Sequence, residues 1–186
     1  MNKFLFETTD IQDLMIINPF SADDERGSFV KAYEKDIFKE NGIEFIPYEY
    51  FESVSKKGVI RGLHFQTENP QAKLIRVSYG EIFDVAVDLR KNSKSFGMWH
   101  GVNISSENKK MFYIPKRFAH GFLALSDIAI VSYLCNDKYS KETDGGIVWN
   151  DKELKIDWHL NNVNKIIISE KDKKLQGFKE FKKMYL

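Results

Sequence analysis

Short segments rich in valine, isoleucine, phenylalanine and tyrosine recur along the chain. Between them lie turn-forming clusters: Asp24-Glu25-Arg26-Gly27, Lys56-Lys57-Gly58, Glu68-Asn69-Pro70, Tyr79-Gly80, Asn92-Ser93, Ser105-Ser106 and Thr143-Asp144-Gly145-Gly146. This rhythm predicts an all-β sandwich or barrel. Alternation is clearest from Asp84 to Arg90, where Val85, Val87 and Leu89 share one face, so a half-buried strand is expected there. Ile128 to Leu134 is apolar at nearly every position and reads as a strand covered on both sides. Helical patterning is confined to Asp36–Asn41, a short stretch near Ser106–Lys110 and the tail Asp172–Lys183, the last around an apolar series of Leu175, Phe178 and Phe181. No linker, low-complexity tract or repeat interrupts residues 1–186, which are read as one β-rich domain.

Composition narrows the function. With 42% hydrophobic and 14% aromatic residues the chain can bury a substantial core. Twenty-eight basic and 27 acidic residues leave a net charge of +1, so no overall field draws nucleic acid or an anionic membrane. Any anion must be held by a local cluster. Cys135 is the single cysteine, and Glu7, Asp10 and Asp13 occupy the place where a secretory signal would be apolar; a reducing cytoplasm is expected. The apolar stretches Phe118–Ser126 and Ile128–Asn136, free of Asp, Glu, Lys and Arg, are about half the length of a membrane-spanning helix, which argues for a soluble protein.

Candidate chemistry concentrates in Arg61-Gly62-Leu63-His64-Phe65-Gln66, in Lys73 and in Pro115-Lys116-Arg117-Phe118-Ala119-His120-Gly121-Phe122. Arg61 and His64 are three apart and reach one pocket only if the strand is distorted between them, which Gly62 permits. His120 shares a face with Phe122 and Ala124, and Tyr133 shares one with Val131 and Ala129. Two histidines from separate strands could hold a metal, but no His-x-His pair with a nearby carboxylate is present, and an inward Lys73 would repel a divalent cation. Acid–base chemistry on an anionic substrate uses every group without conflict: Arg61 and Lys73 hold phosphate or a developing oxyanion while His64 and Tyr133 move protons. An isolated inward histidine or tyrosine is more often a satisfied core residue, and His100 and His159 are read that way; five such groups together are not.

Several strings occur in the order seen in one family. They are Asp24-Glu25-Arg26-Gly27, Gly58-Val59-Ile60-Arg61-Gly62-Leu63-His64-Phe65-Gln66, Lys73-Leu74, Asp84 through Arg90, Phe96-Gly97, Ile114-Pro115, Ala119-His120-Gly121-Phe122, Trp149-Asn150-Asp151 and Ile156-Asp157-Trp158. From near Leu5 to near Phe178 the chain resembles the dTDP-4-dehydrorhamnose 3,5-epimerases. The resemblance implies a cupin-like jelly roll, a homodimer formed by strand exchange, no metal or organic cofactor, and a nucleotide-diphosphate-linked 4-keto-6-deoxy sugar as substrate. It casts His64 as the base that removes a proton next to the C4 ketone, Asp172 as its carboxylate partner and Tyr133 as the acid on the opposite face. Lys73 would stand beside the C4 oxygen, and Arg26, Arg61, His120 and Lys171 would contact substrate or its diphosphate.

The chain departs from the family pattern at substrate-contacting positions. Lys31 stands where a glutamate is usual, Glu49-Tyr50-Phe51 replaces Gln-x-Asn, Asp144 replaces a glutamate, and Arg117 replaces a glycine. The expected activity is 3,5-epimerisation in deoxysugar synthesis for surface polysaccharide. The alternatives are a single-centre epimerase or ketoisomerase of another nucleotide sugar, a non-catalytic sugar-nucleotide-binding module, and a metal-dependent cupin.

Overall fold

The computed structural model describes residues 3–185. Its strands are β1 (Leu5–Thr8), β2 (Met15–Asn18), β3 (Phe20–Asp24), β4 (Gly27–Lys31), β5 (Glu49–Lys56), β6 (Ile60–Gln66), β7 (Lys73–Tyr79), β8 (Glu81–Asp88), β9 (Trp99–Ser105), β10 (Met111–Ile114), β11 (Phe118–Ala124), β12 (Ile128–Cys135) and β13 (Asp144–Gly146). Helices α1 (Lys35–Glu40) and α2 (Phe178–Tyr185) flank them. One sheet runs β1-β2-β10-β7-β12-β5 and the other β13-β6-β11-β8-β9, while β3 and β4 form a separate hairpin. Neither sheet closes on itself.

The sheets face each other across a core that takes Ile75 and Val77 from β7, Ala86 from β8, Phe122 from β11, and Val131 and Tyr133 from β12. Outside the five-stranded sheet a second apolar layer forms where Leu154, Trp158, Phe178 and Phe181 cover Leu63, Val85, Val87 and Leu123. Outside part of the six-stranded sheet, Phe38 of α1 and Phe45 cover Ile17, Leu74 and Met111. The C-terminal segment is therefore a structural layer, and two expectations about burial are reversed. β8 is buried on both faces rather than half buried, because Val85 and Val87 meet that layer while Ala86 meets the inter-sheet core. β12 is the half-open strand: Ala129, Val131, Tyr133 and Cys135 are buried, but Ile128 is exposed and Ile130 and Leu134 only partly covered.

The helical expectations fare unevenly. α1 forms where its pattern places it. Ser106–Lys110 is a turn instead, held by bonds from the backbone N–H groups of Ser105 and Lys110 to Oδ1 of Asn108 and from the Asn108 N–H to the Ser105 hydroxyl. The tail breaks in two: a 3₁₀ turn at Asp172–Lys174, then α2. Between them Gln176 bridges to Ile147, and the Phe178 N–H donates to Oδ2 of Asp151 at 2.9 Å, so a distant carboxylate caps the second helix.

One irregularity positions the site. On the β6–β11 ladder His120 pairs with His64 while Phe122 pairs with Arg61, so three steps on β6 span two on β11. The extra residue shifts the parity of β6 and turns Arg61 and His64 toward the same space. Gly62 has φ +126°, and a Cβ there would sit 2.6 Å from the Cα of Gly121. A Cβ on Gly121 would in turn meet the Arg61 carbonyl oxygen at 2.7 Å. Both motif glycines are needed for one close crossing of backbones.

Candidate active site

Between the sheets lies a cavity of about 460 Å³, into which β6 and β11 on one wall and β5, β7 and β12 on the other project their polar residues. His64 lies on the five-stranded side. Its Nε2 is 2.8 Å from Oδ1 of Asp172, and the buried Asp172 also accepts the Gly62 N–H at Oδ2, 3.3 Å away. The Asp172 N–H donates to the Ser169 hydroxyl at 3.0 Å, which fixes the turn that carries the carboxylate. Burial pushes the Asp172 carboxyl up, but the His64 hydrogen bond and charge, with the Gly62 and Ser169 contacts, outweigh it and hold the group below its ordinary value. Asp172 is thus an anion behind an imidazole. This engages one ring nitrogen and leaves Nδ1 for the cavity.

Tyr133 projects from β12 on the opposite wall. Burial pushes its phenol well above the ordinary tyrosine value, against the Ser53 hydroxyl 3.4 Å away and the Arg61 charge. It is a protonated phenol at neutral pH. Phe51 stacks on its ring at 4.6 Å and 13°, and the His120 ring meets it edge-on at 6.0 Å. Lys73, at the start of β7, also lines the cavity. Burial holds its pKa below the ordinary lysine value, with Cys135, Asp144 and Asp84 pulling the other way. Burial raises the Cys135 thiol, its partner across the β7–β12 ladder, to about 11.

The remaining contacts are polar and mixed in sign. The Arg61 Nε donates to the Ser55 hydroxyl at 3.0 Å and its Nη2 to the Val54 carbonyl at 3.2 Å, which aims the guanidinium along β5. Lys171 pairs with Asp144, which also accepts the Tyr139 hydroxyl at 3.0 Å. Glu49 is engaged at both oxygens, by the Tyr139 N–H at 2.8 Å and by the Gln71 amide at 3.3 Å. The substitution of a carboxylate at position 49 is therefore absorbed by two local donors, and Phe51 becomes a wall against Tyr133.

Ten of the expected residues thus gather around one space: His64, Asp172, Tyr133, Lys73, Arg61, His120, Lys171, Asp144, Glu49 and Phe51. Arg26 and Lys31 do not join them. Both lie on the β3–β4 hairpin, Arg26 paired with Asp24 and 83% exposed, Lys31 paired with Glu34 at 2.8 Å. Asp84, Ser53, Gln71 and Tyr139 escaped sequence reasoning. Asp84 is fully buried, and its Oδ1 is 2.6 Å from Nε2 of His120. The only signal was its parity with Ala86. No group of three His, Cys, Asp or Glu side chains arranged to hold a metal ion is found among the described residues. His100 pairs with Asp10 and is partly exposed, and His159 packs against Phe83 with its ring tilted by 37° and is exposed, so neither is the core residue expected, and neither lines the cavity.

Comparison with known proteins gives the same direction throughout. Residues 8–180 match the family model described as dTDP-4-dehydrorhamnose 3,5-epimerase. A relative of that name from Methanothermobacter thermautotrophicus is 52% identical over 180 residues, covering 97% of each chain. The crystal structure of a dTDP-6-deoxy-D-glucose-3,5-epimerase from Legionella pneumophila, in complex with dTDP-4-keto-L-rhamnose, superposes with a TM-score of 0.91 at 42% identity, over 94% of this chain and 93% of that one. A 3'-monoepimerase from Streptomyces bikiniensis bound to dTDP-quinovose superposes at 0.89 with 25% identity, over 96% and 90% of the chains. The fold is the cupin-like jelly roll of these enzymes, and the chain belongs to the dTDP-4-dehydrorhamnose 3,5-epimerase family.

Proposed function

We propose that this protein converts dTDP-4-dehydro-6-deoxy-D-glucose to dTDP-4-dehydro-L-rhamnose by inverting C3 and C5 of the sugar. The observation that carries the reading is that a carboxylate-backed imidazole, His64, and a protonated phenol, Tyr133, stand on facing sheets across one cavity. Inversion needs a base on one face of the ring and an acid on the other.

The C4 ketone acidifies the hydrogens on both neighbouring carbons. His64 removes one through Nδ1, and Asp172 stabilises the imidazolium that results. The enolate's charge collects on the C4 oxygen, and Lys73, which lines the cavity, is the cation assigned to it. Tyr133 returns a proton from the opposite wall; solvent then takes the proton from His64 and reprotonates Tyr133, and repetition at the second carbon completes the change. Arg61 and Lys171 supply charge for the diphosphate, Arg61 through a planar fork suited to phosphate oxygens.

The active form in this reading is a homodimer. β5 is an edge strand whose outward Tyr50 and Val54 are more than half exposed, and the β3–β4 hairpin pairs with neither sheet. A second copy covering that edge would bury these side chains, and its hairpin would bring Arg26 and Lys31 to a cavity they do not reach within one chain. The setting is a reducing cytoplasm, which suits a lone buried thiol. Among the described residues no helix is long and apolar enough to cross a membrane.

Proton NMR of dTDP-4-keto-6-deoxyglucose in deuterated water tests the reading. The expected result is His64-dependent loss of hydrogen at both C3 and C5. Similarity to the monoepimerase gives one specific second reading, single-centre inversion, and exchange confined to one carbon would select it. Wild-type exchange undiminished in His64→Ala would sink both.

A further inference from the structure

His64 is not the only imidazole in the cavity with a carboxylate behind it. His120 lies directly across the β6–β11 ladder from His64, is 5% exposed, and directs Nε2 at Oδ1 of Asp84. Across the β8–β11 ladder Asp84 pairs with Phe122 and Ala86 with His120, so Asp84 and His120 are diagonal neighbours on the face turned to the inter-sheet core. Asp84 has no exposed surface, and its Oδ2 has no hydrogen-bond partner among the described residues. A carboxylate placed there gives up its water for one hydrogen bond and leaves an oxygen unsatisfied, an arrangement that an apolar residue of similar size would improve on for stability alone. The imidazole it serves lines the cavity, and with Nε2 engaged by Asp84 its other ring nitrogen, Nδ1, is the one left for a ligand. Lys73 and Tyr133 on the opposite sheet face this pair, and His64 lies beside it across the ladder.

We propose that Asp84 is a positioning residue for the epimerisation: by accepting the Nε2–H of His120 it fixes that ring's tautomer and tilt, so that Nδ1 accepts a hydroxyl hydrogen of the sugar and holds the ring between His64 and Tyr133. The inference rests on the epimerase reading above. It assigns the two carboxylate–imidazole pairs different work, Asp172–His64 moving the proton and Asp84–His120 orienting the carbon that loses it. Misplacing a reacting carbon by about 1 Å costs on the order of 100-fold in rate, so the effect belongs in kcat more than in KM.

A double-mutant cycle separates this from a purely structural role. Wild type, Asp84→Asn, His120→Asn and the double variant are compared for kcat and KM of hydrogen loss from dTDP-4-keto-6-deoxyglucose in deuterated water, with thermal melting by circular dichroism for each. Each single variant is expected to lower kcat by roughly 10- to 100-fold with KM within about threefold, and the Asp84 change is expected to cost nothing further once His120 is gone. Additive losses, a wild-type rate for Asp84→Asn, or a loss confined to KM would overturn the proposal. If Asp84→Asn does not fold, nitrogen-15 NMR of the unaltered protein decides: protonation of His120 on Nε2 supports the assignment, and protonation on Nδ1 alone refutes it. Wild-type protein that exchanges neither hydrogen defeats the epimerase reading, a separate outcome, and the tautomer measurement still tests Asp84.

Discussion

Replacing Asp172 with asparagine removes one charge and almost no volume, so it isolates what the carboxylate does for His64. In the proposed mechanism His64 takes a proton, and the imidazolium forms with Nε2 2.8 Å from Oδ1 of Asp172. Two unit charges about 4 Å apart attract by about 4 kcal/mol at an effective dielectric of about 20. The Asp172 side chain is 6% exposed, but that of His64 is 32% exposed, so part of this attraction is screened by solvent. A remaining 2–3 kcal/mol, at about 1.4 kcal/mol per factor of ten, slows the proton transfer by roughly 30- to 160-fold. An asparagine that turns its NH₂ toward Nε2 would add to this, because it favours the tautomer with the hydrogen on Nδ1 and leaves no free base in the cavity. KM should barely change, since Asp172 lies behind the ring rather than against the sugar. Initial rates of deuterium incorporation into dTDP-4-keto-6-deoxyglucose give kcat and KM directly, and thermal melting confirms the fold. A folded Asp172→Asn protein with kcat within threefold of wild type would falsify the electrostatic account of the pair.

The other consequences concern stability and the wall around Tyr133. Asp88 is fully buried, and although burial pushes its carboxyl up, Arg90, Ser93 and Ser95 hold it below the ordinary value of 3.8. Its contribution is therefore fully present above about pH 4 and lost as pH falls through the depressed folded-state value. Asp88→Asn should cost about 2–3 kcal/mol at pH 7, with a gap to wild type that narrows in acid; urea titrations across pH test this, and a gap that widens below pH 4 contradicts it. Arg117 has φ +65°, a left-handed conformation that disfavours a side chain by roughly 1–2 kcal/mol, against roughly 0.5–1 kcal/mol of extra chain entropy for glycine. Arg117→Gly should thus match or exceed wild-type stability by up to about 1 kcal/mol in urea unfolding, whereas a loss of that size would show that the guanidinium makes a stabilising contact. Phe51→Ala removes the ring stacked on Tyr133, should cost about 1 kcal/mol, and should let water reach the phenol. Ultraviolet titration against a Tyr133→Phe reference should then show the Tyr133 phenol ionising at lower pH than in wild type; an unchanged titration would mean that Phe51 does not shield it.

Strands were legible where side-chain pattern and turn chemistry agreed, and the errors came from what covers each face. Period-two alternation in Asp84–Arg90 identifies a strand, but it cannot reveal that Trp158, Phe178 and Phe181, far along the chain, will close its second face. The same blindness in reverse applies to β12, whose outward Ile128 is exposed and whose Ile130 and Leu134 are only partly covered among the described residues. The tail shows a third limit. Its apolar series suits one helix, yet Asp172 must turn inward to reach His64 and Gln176 must bridge to Ile147, so tertiary contacts break the helix where local propensity would continue it.

The site was legible in proportion to how local its geometry is. The parity conflict between Arg61 and His64, three apart yet both polar in apolar surroundings, demanded a distorted strand, and Gly62 marked where; the structure adds that Gly121 is the other half of the same crossing. The carboxylates could not be found this way. Asp172 lies 108 positions from His64 and reaches it from a one-turn helix with no pattern of its own, so only resemblance suggested it. Asp84 was hidden more thoroughly, because an alternating strand is normally read with its polar residues toward water. When both faces of such a strand are buried, its polar positions are the informative ones. Asp88 resolves into a loop brace with Arg90, Ser93 and Ser95, whereas Asp84 keeps an unsatisfied oxygen beside the imidazole opposite His64. Of the two aspartates with the same apparent environment in sequence, the one the protein leaves incompletely satisfied is the one that faces the chemistry.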